Sequence, residues 1–300
     1  MYEILLYYKY THIADPEEFC REQRELCERL GLKGRIIMAS EGLNGTVEGL
    51  VENTQKYIDE ITRDPRFADM NFKRSLGTGN AFPKLMVRAR SEIVSAHLGE
   101  QDVNPAELTG KYIAPEELHD WIHSDKEFYI IDMRNDYEHA VGFFRDSILP
   151  PMGHFRELPA MLPKLAHLKN KTVVTVCTGG VRCEKASGWL LSQGFKDVYQ
   201  LHNGIVSYME KYPNEDFVGK LYVFDGRVTM GFSSEQPAEV VGRCRRCKQL
   251  SELYVNCAEL SCHDHFICCE GCRNKQGEAF CSWWCALKRK VSLLVLKLSF

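Results

Sequence analysis

With 300 residues, 44% of them hydrophobic and 26% charged, and a formal net charge of −3, the chain has the make-up of an ordinary soluble globular protein with room for two or three domains. Disordered and collagen-like chains are excluded, and so small a net charge excludes a global pull toward nucleic acid, so any nucleic-acid site is local. MYEILLYYKY lacks the basic and then apolar pattern of a signal peptide, and no run approaches the roughly 20 apolar residues of a membrane span. A cytoplasmic location without membrane contact is expected, and the short, lysine-bearing tail VSLLVLKLSF reads as a packed terminal strand or helix.

Residues 1–75 read as β-α-β-β-α-β. The strand EILLYYKY leads to a helix start at ADPEEF, where Asp15 caps, Pro16 fits the first turn and Glu18 closes a capping box. Gly31 is the expected stop. KGRIIMA, a loop SEGLNG, the strand TVEGL, a helix around NTQKYIDEIT and the strand DMNFKRS complete the order expected of a ferredoxin-like α+β sandwich. Residues 76–112 are turn-rich and carry one basic strand, and are expected to form a linker.

In 113–220 strands and helices alternate, which predicts a parallel α/β domain with its ligand site at the carboxyl ends of the strands. Cys177 ends the strand KTVVTVC. Thr178, Gly179, Gly180 and Val181 follow, then Arg182, where a helical pattern begins. Such a loop turns its backbone N–H groups inward, and the helix N-terminus adds positive potential. That environment stabilises a thiolate or a persulfide and lowers the thiol pKa. Arg182 either faces the ligand or fastens the loop from behind. A buried cysteine ending a core strand is the blander alternative, against which the glycine pair, the arginine and the helix start all count. Cys183 serves either as a resolving thiol or as a core residue.

Of the 13 cysteines, nine lie between Cys244 and Cys285, within a module and tail expected over 221–300. Cys244 and Cys247, Cys257 and Cys262, Cys269 and Cys272, and Cys281 and Cys285 form four closely spaced pairs, enough for two tetrahedral structural zinc ions. Cys268 is left over. His263 and His265 are alternative ligands, so the partition stays open, and an iron–sulfur cluster would need only four of these cysteines. Arg243, Arg245, Arg246 and Lys248 interleave with the first pair, as a nucleic-acid contact or as a solvated charge run. No motif for flavin, haem or a two-histidine, one-carboxylate iron site is visible.

The central segment resembles the rhodanese family. Ile131-Asp132-Met133-Arg134 is similar to its D-x-R strand, Glu138 with Val141-Gly142-Phe143 to its following turn, CTGGVR to its active-site loop, and VYQLHNGIVSY to its closing strand. Asn203-Gly204 stands where a glycine pair is usual, and Tyr208 where tryptophan often follows. Four residues separate Cys177 from Arg182, as in sulfur-handling rhodaneses, against five in related phosphatases, which disfavours phosphatase chemistry. With SEGLNGT, FPKLMVRARSEIV and the string from Cys257 through Cys262-His263 to Phe266-Ile267, nearly the whole chain resembles the bacterial rhodanese-containing tRNA uridine hydroxylases. The departure is Cys268-Cys269, where that family has one cysteine.

This resemblance implies oxygen-dependent hydroxylation of the wobble uridine of tRNA to 5-hydroxyuridine, with molecular oxygen as cosubstrate and Cys177 and Arg182 catalytic. Asp132 and Arg134 would support the loop. Cys177 either adds to C6 of the base or carries a persulfide or oxidised sulfur. Candidate RNA contacts are Arg35, Lys73, Arg74, Lys84, Arg88 and Arg90. Of these Lys84, Arg88 and Arg90 share one strand face, which suits either a phosphate track or a charged, aggregation-resistant edge. Asn44 either touches RNA or adopts the positive φ of a hairpin. The competing readings are a persulfide sulfurtransferase and a zinc-dependent interaction protein, and the intact Cys177 and Arg182 count against the second.

Overall fold

A computed structural model describes residues 1–233 and 235–298, with only the backbone described beyond Val291. The first unit is built from β1 (Tyr2–Tyr10), α1 (Pro16–Arg29), β2 (Lys33–Ala39), β3 (Gly42–Leu50), α2 (Val51–Ile61), β4 (Phe72–Leu76) and β5 (Leu85–Ala89). Its sheet has the order β4-β1-β3-β2-β5, the ferredoxin-like arrangement with one added strand. That strand is the basic one of the connecting segment. It pairs parallel to β2, so the segment is in part a sheet edge as well as a connection. Alternation sends Leu5, Tyr7, Ile36, Met38, Leu43, Val47 and Val87 to one face, where they pack with Phe19, Leu26 and Tyr57 of the helices.

Asp15 caps α1 by accepting from the Glu18 N–H at 2.9 Å. Glu18 itself pairs with Arg21 instead of closing the box. The expected SEGLNG loop shrinks to a turn, because Gly42, Leu43, Asn44 and Gly45 already belong to β3. Close approach explains these glycines. A Cβ on Gly42 would lie 2.0 Å from the Lys9 carbonyl, and one on Gly45 2.4 Å from the Tyr7 ring.

The second unit contains β6 (Lys111–Ile113), α3 (Pro115–Ile122), β7 (Tyr129–Asp132), α4 (Asp136–His139), β8 (Gly142–Phe144), α5 (Leu158–Leu165), β9 (Thr172–Val176), α6 (Val181–Ser192), β10 (Asp197–Leu201) and α7 (Gly204–Lys211). Its parallel sheet runs β6-β10-β9-β7, with apolar clusters on both faces, as a parallel sheet requires. The chain then forms β11 (Phe217–Gly219), which pairs with β8, a short pair β12 (Leu221–Tyr222) and β13 (Thr229–Met230), a hairpin β14 (Tyr254–Asn256) and β15 (His265–Ile267), and α8 (Trp283–Leu298). The tail is thus helical in backbone to Leu298, while its expected packing lies outside the described residues. Among the described residues no helix is long and apolar enough to cross a membrane.

Candidate active site and metal centres

Strand β9 is fully buried from Val173 onward and delivers Cys177 into the turn before α6. Gly180, at φ +108°, aims its N–H at the Cys177 sulfur from 3.2 Å. Burial by itself raises the thiol pKa. The Cys183 hydrogen bond, the Arg182 charge and the amides of Cys183 and Gly180 outweigh it and bring Cys177 down to about 6. Burial and the Cys177 charge push Cys183 the other way, well above the ordinary thiol range. Cys183 is therefore a core residue whose thiol lies beside the Cys177 sulfur.

The start of α7 backs the loop. Ile205 N–H donates to the Cys177 carbonyl at 2.9 Å and Val206 N–H to the Thr178 carbonyl at 3.1 Å. A Cβ on Gly204 would stand 2.7 Å from that first carbonyl oxygen. Asn203 takes φ +63°, a left-handed conformation asparagine tolerates, so it can stand where a glycine is usual.

Arg182 fastens the loop. Its guanidinium meets both Glu138 oxygens, at 2.5 and 2.8 Å, and reaches the Thr178 hydroxyl at 3.2 Å. Its charge still helps to hold the Cys177 thiolate. Asp132 and Arg134 form a second pair with no exposed side-chain surface, and Arg134 also donates to the Gly142 carbonyl at 2.8 Å. These two residues fix the turns around the site without lining it.

The face of the first sheet opposite its helices covers the cysteine loop. Leu6, Tyr8 and Tyr10 point that way. Tyr8 donates to Glu184 at 3.0 Å, and Tyr10 to the Val181 carbonyl at 3.1 Å. Lys185 of α6, fully buried, is held by Glu41 at 2.7 Å and by Asp102 at 2.8 Å. Between the two units lies a cavity of about 500 Å³, with Cys177, Thr178, Gly179, Val181 and Arg182 on one side and Arg35, Asn44 and Arg90 on the other. That volume suits a small-molecule group such as a nucleobase.

The other sequence-predicted contacts are placed differently. Lys84 and Arg88 are exposed but do not line this cavity. Arg74 turns to the helical side and binds Glu3 at 3.1 Å and Gln55. Lys73 is buried over the Tyr8 ring, and burial lowers its ammonium to about 8. Asn44 sits in β3 without a positive φ and donates to the Ile93 carbonyl at 3.1 Å. Sequence reasoning missed Tyr8 and Tyr10. The available signal was the second apolar face of MYEILLYYKY, which implies a sheet covered on both sides.

The eight paired cysteines gather into two groups, Cys244, Cys247, Cys269 and Cys272, and Cys257, Cys262, Cys281 and Cys285. Sulfurs stand 3.5 Å apart between Cys247 and Cys269, 3.7 Å between Cys262 and Cys281, and 3.5 Å between Cys281 and Cys285. Tetrahedral thiolates around one ion at a metal–sulfur distance of about 2.3 Å would be roughly 3.8 Å apart, so both donor sets fit a metal ion. The pairs are interleaved along the chain, which is why spacing left the partition open. His265 instead bonds Asn256 at 2.8 Å and stacks on Tyr254, and His263 belongs to neither group. Cys268 is buried in the core of the module. Arg245 pairs with Asp264, Arg246 donates to the Cys272 carbonyl and Arg243 to that of Lys248, so these three arginines brace the first knuckle.

Three family models match the chain: the UPF0176 acylphosphatase like domain over residues 2–93, the Rhodanese-like domain over 114–211 and the Rhodanase C-terminal model over 218–286. The tRNA uridine(34) hydroxylase of Cytophaga hutchinsonii is 46% identical over 284 residues, covering 95% of this chain and 89% of that protein. The protein of the same name from Bacillus licheniformis is 46% identical over 272 residues, covering 90% and 84%. A rhodanese-like domain protein from Staphylococcus aureus, known from its crystal structure, is 28% identical over 33% of this chain and 90% of that one, with a TM-score of 0.29. Identity at this level, sustained through all three parts of the chain, places it in the tRNA uridine(34) hydroxylase family.

Proposed function

We propose that this protein hydroxylates C5 of the wobble uridine of tRNA, with Cys177 as the nucleophile that activates the base. The observation that carries this reading is a cysteine with its pKa lowered to about 6, bordering a base-sized cavity whose opposite wall bears Arg35 and Arg90. The thiolate adds to C6, and the electron pair of the 5,6 double bond becomes available at C5. Dioxygen supplies one oxygen atom there. Its other atom leaves as water, at the expense of two reducing equivalents from an external donor. Loss of the C5 proton and departure of the thiolate restore the ring.

Arg182 acts on the sulfur through its charge while Glu138 holds its position. Arg35 and Arg90 would meet RNA phosphates, and two structural zinc ions would hold the C-terminal module through the two four-cysteine groups. A tRNA substrate supports a cytoplasmic location.

The test is mass spectrometry of tRNA nucleosides from a deletion strain lacking any redundant pathway. The wild-type chain should restore 5-hydroxyuridine derivatives and Cys177→Ser should not. Unchanged nucleosides in the deletion strain would remove the activity. RNA carrying 5-fluorouridine at the wobble position should form a covalent adduct on Cys177. Its absence with active protein would assign the sulfur to persulfide or oxidised-sulfur chemistry instead.

A further inference from the structure

Away from the cysteine loop, α3 carries His119, and His123, its C-cap, follows one turn later. Folding brings them to Asp216 and Glu215, the latter 96 residues from His119 in sequence, which is why no spacing announced the group. One ligand atom from each of His119, His123 and Asp216 lies within 4.8 Å of the others. We propose that His119, His123 and Asp216, with Glu215 in reach, bind a divalent first-row transition-metal ion.

One ring nitrogen of each histidine faces the carboxylates. His123 Nδ1 lies 2.8 Å from the His119 carbonyl, which can only accept, so that nitrogen carries the proton. In the neutral imidazole this leaves the lone pair on Nε2 of His123, 3.5 Å from Asp216 Oδ1. His119 Nε2 stands 3.0 Å from Glu215, whose carboxylate can only accept, so this nitrogen carries a proton that the ion would displace, and 4.0 Å from the second Asp216 oxygen. The His119 ring is held by stacking on Tyr212, with centroids 3.9 Å apart and planes within 11°.

The carboxylate is oriented as well. Tyr208, buried, donates its hydroxyl to Asp216 Oδ2 at 2.5 Å, and the Asp216 carbonyl accepts from Arg145 N–H at 2.9 Å. An outer donor of this kind fixes a ligating carboxylate. Two imidazoles and a carboxylate select zinc-like, borderline ions over magnesium or calcium. Tetrahedral ligand atoms about 2.1 Å from one ion lie roughly 3.4 Å apart, so a closing shift of at most about 1.4 Å completes the set. The half-exposed His123 is free to make it.

Tyr212 follows the last residue of α7, and the first residue of that helix backs the Cys177 loop. The site therefore lies about 12 Å along α7 from the end that backs the cysteine loop, and none of its residues lines the catalytic cavity. Its ion would clamp α3 to the segment entering β11.

The test is titration of the full-length protein, its cysteine groups loaded with zinc, with cobalt(II). Uptake of one further ion per chain is expected, with weak visible bands and without the intense near-ultraviolet absorption of thiolate-bound cobalt. His119→Ala/His123→Ala should lose that ion, and Tyr208→Phe should bind it about tenfold more weakly. Should the double variant fail to fold, His123→Gln, at a half-exposed position, should weaken uptake in a folded protein. No uptake by the wild type, uptake only with thiolate absorption, or unchanged uptake in a folded variant would overturn the proposal.

Discussion

Glu138 and Arg182, 44 residues apart in sequence, form a buried two-point ion pair directly behind the cysteine loop. Glu138 has no exposed side-chain surface and Arg182 has 8%. Removing one partner strands the other charge in the interior, which typically costs about 3–5 kcal/mol. Glu138→Gln, which keeps size and loses charge, should lower unfolding free energy in urea by that order and abolish activity. An undiminished midpoint would show the pair to be dispensable.

Cys177 should alkylate with a pH midpoint near 6, well below an ordinary thiol. Arg182→Met should move that midpoint up. The linkage sign follows from the lowered value: between about 6 and the unfolded thiol pKa the unfolded chain binds more protons, so this group adds stability as pH rises and withdraws it as pH falls through about 6. Alkylation rates across pH, for wild type and variant, check both statements. A wild-type midpoint in the ordinary thiol range would refute them.

Gly179 and Gly180 meet the first sheet in different ways. A Cβ on Gly179 would lie 2.9 Å from the end of the flexible Leu6 side chain, with no positive φ to strain it. Gly179→Ala should therefore cost about 1–3 kcal/mol and be relieved by Leu6→Ala in the same chain. Gly180 combines φ +108° with a Cβ position 2.6 Å from the Tyr8 hydroxyl, so Gly180→Ala should not be relieved by Tyr8→Phe. Thermal unfolding of the four variants reads the difference.

Each cysteine group should hold its ion independently. Cys244→Ser and Cys257→Ser lie in different groups, so each should reduce the zinc content by one ion per chain and the pair together by two. Elemental analysis of purified protein decides this, and loss of both ions from either single variant would show the groups to be coupled.

Arg35 and Arg90 line the cavity, whereas Lys84 and Arg88 do not. Arg35→Ala or Arg90→Ala should weaken tRNA binding and reduce the salt slope of log K by roughly 0.7–0.9 for each phosphate left without its cation. Lys84→Ala and Arg88→Ala should do less. Equal effects at all four positions would point to a diffuse basic edge.

Both folds were legible wherever a pattern is local. The period of two in EILLYYKY, the cap at Asp15 and the strand, glycine loop and helix around Cys177 carry their own explanation. What stayed hidden depends on distant partners. Nothing near Arg74 in sequence says that Glu3 will take it, and nothing near Lys73 says that a second unit will bury it. Asn44 was misplaced because its neighbouring glycines look like a loop, when they are small to let Lys9 and Tyr7 approach. The cysteine partition needed the interleaved fold for the same reason.

Lys185 bears on modularity. This cation, wholly enclosed, sits one turn after the cysteine loop, yet the carboxylates that neutralise it, Glu41 and Asp102, come from the turn between β2 and β3 and from the connecting segment. Cut free at its family boundary, the central unit would lose both carboxylates together with the surfaces that enclose the ammonium group. The rhodanese-like core is thus no portable cassette. Its electrostatic neutrality is shared with the neighbour that roofs it, so the two would have to be inherited, expressed and redesigned together.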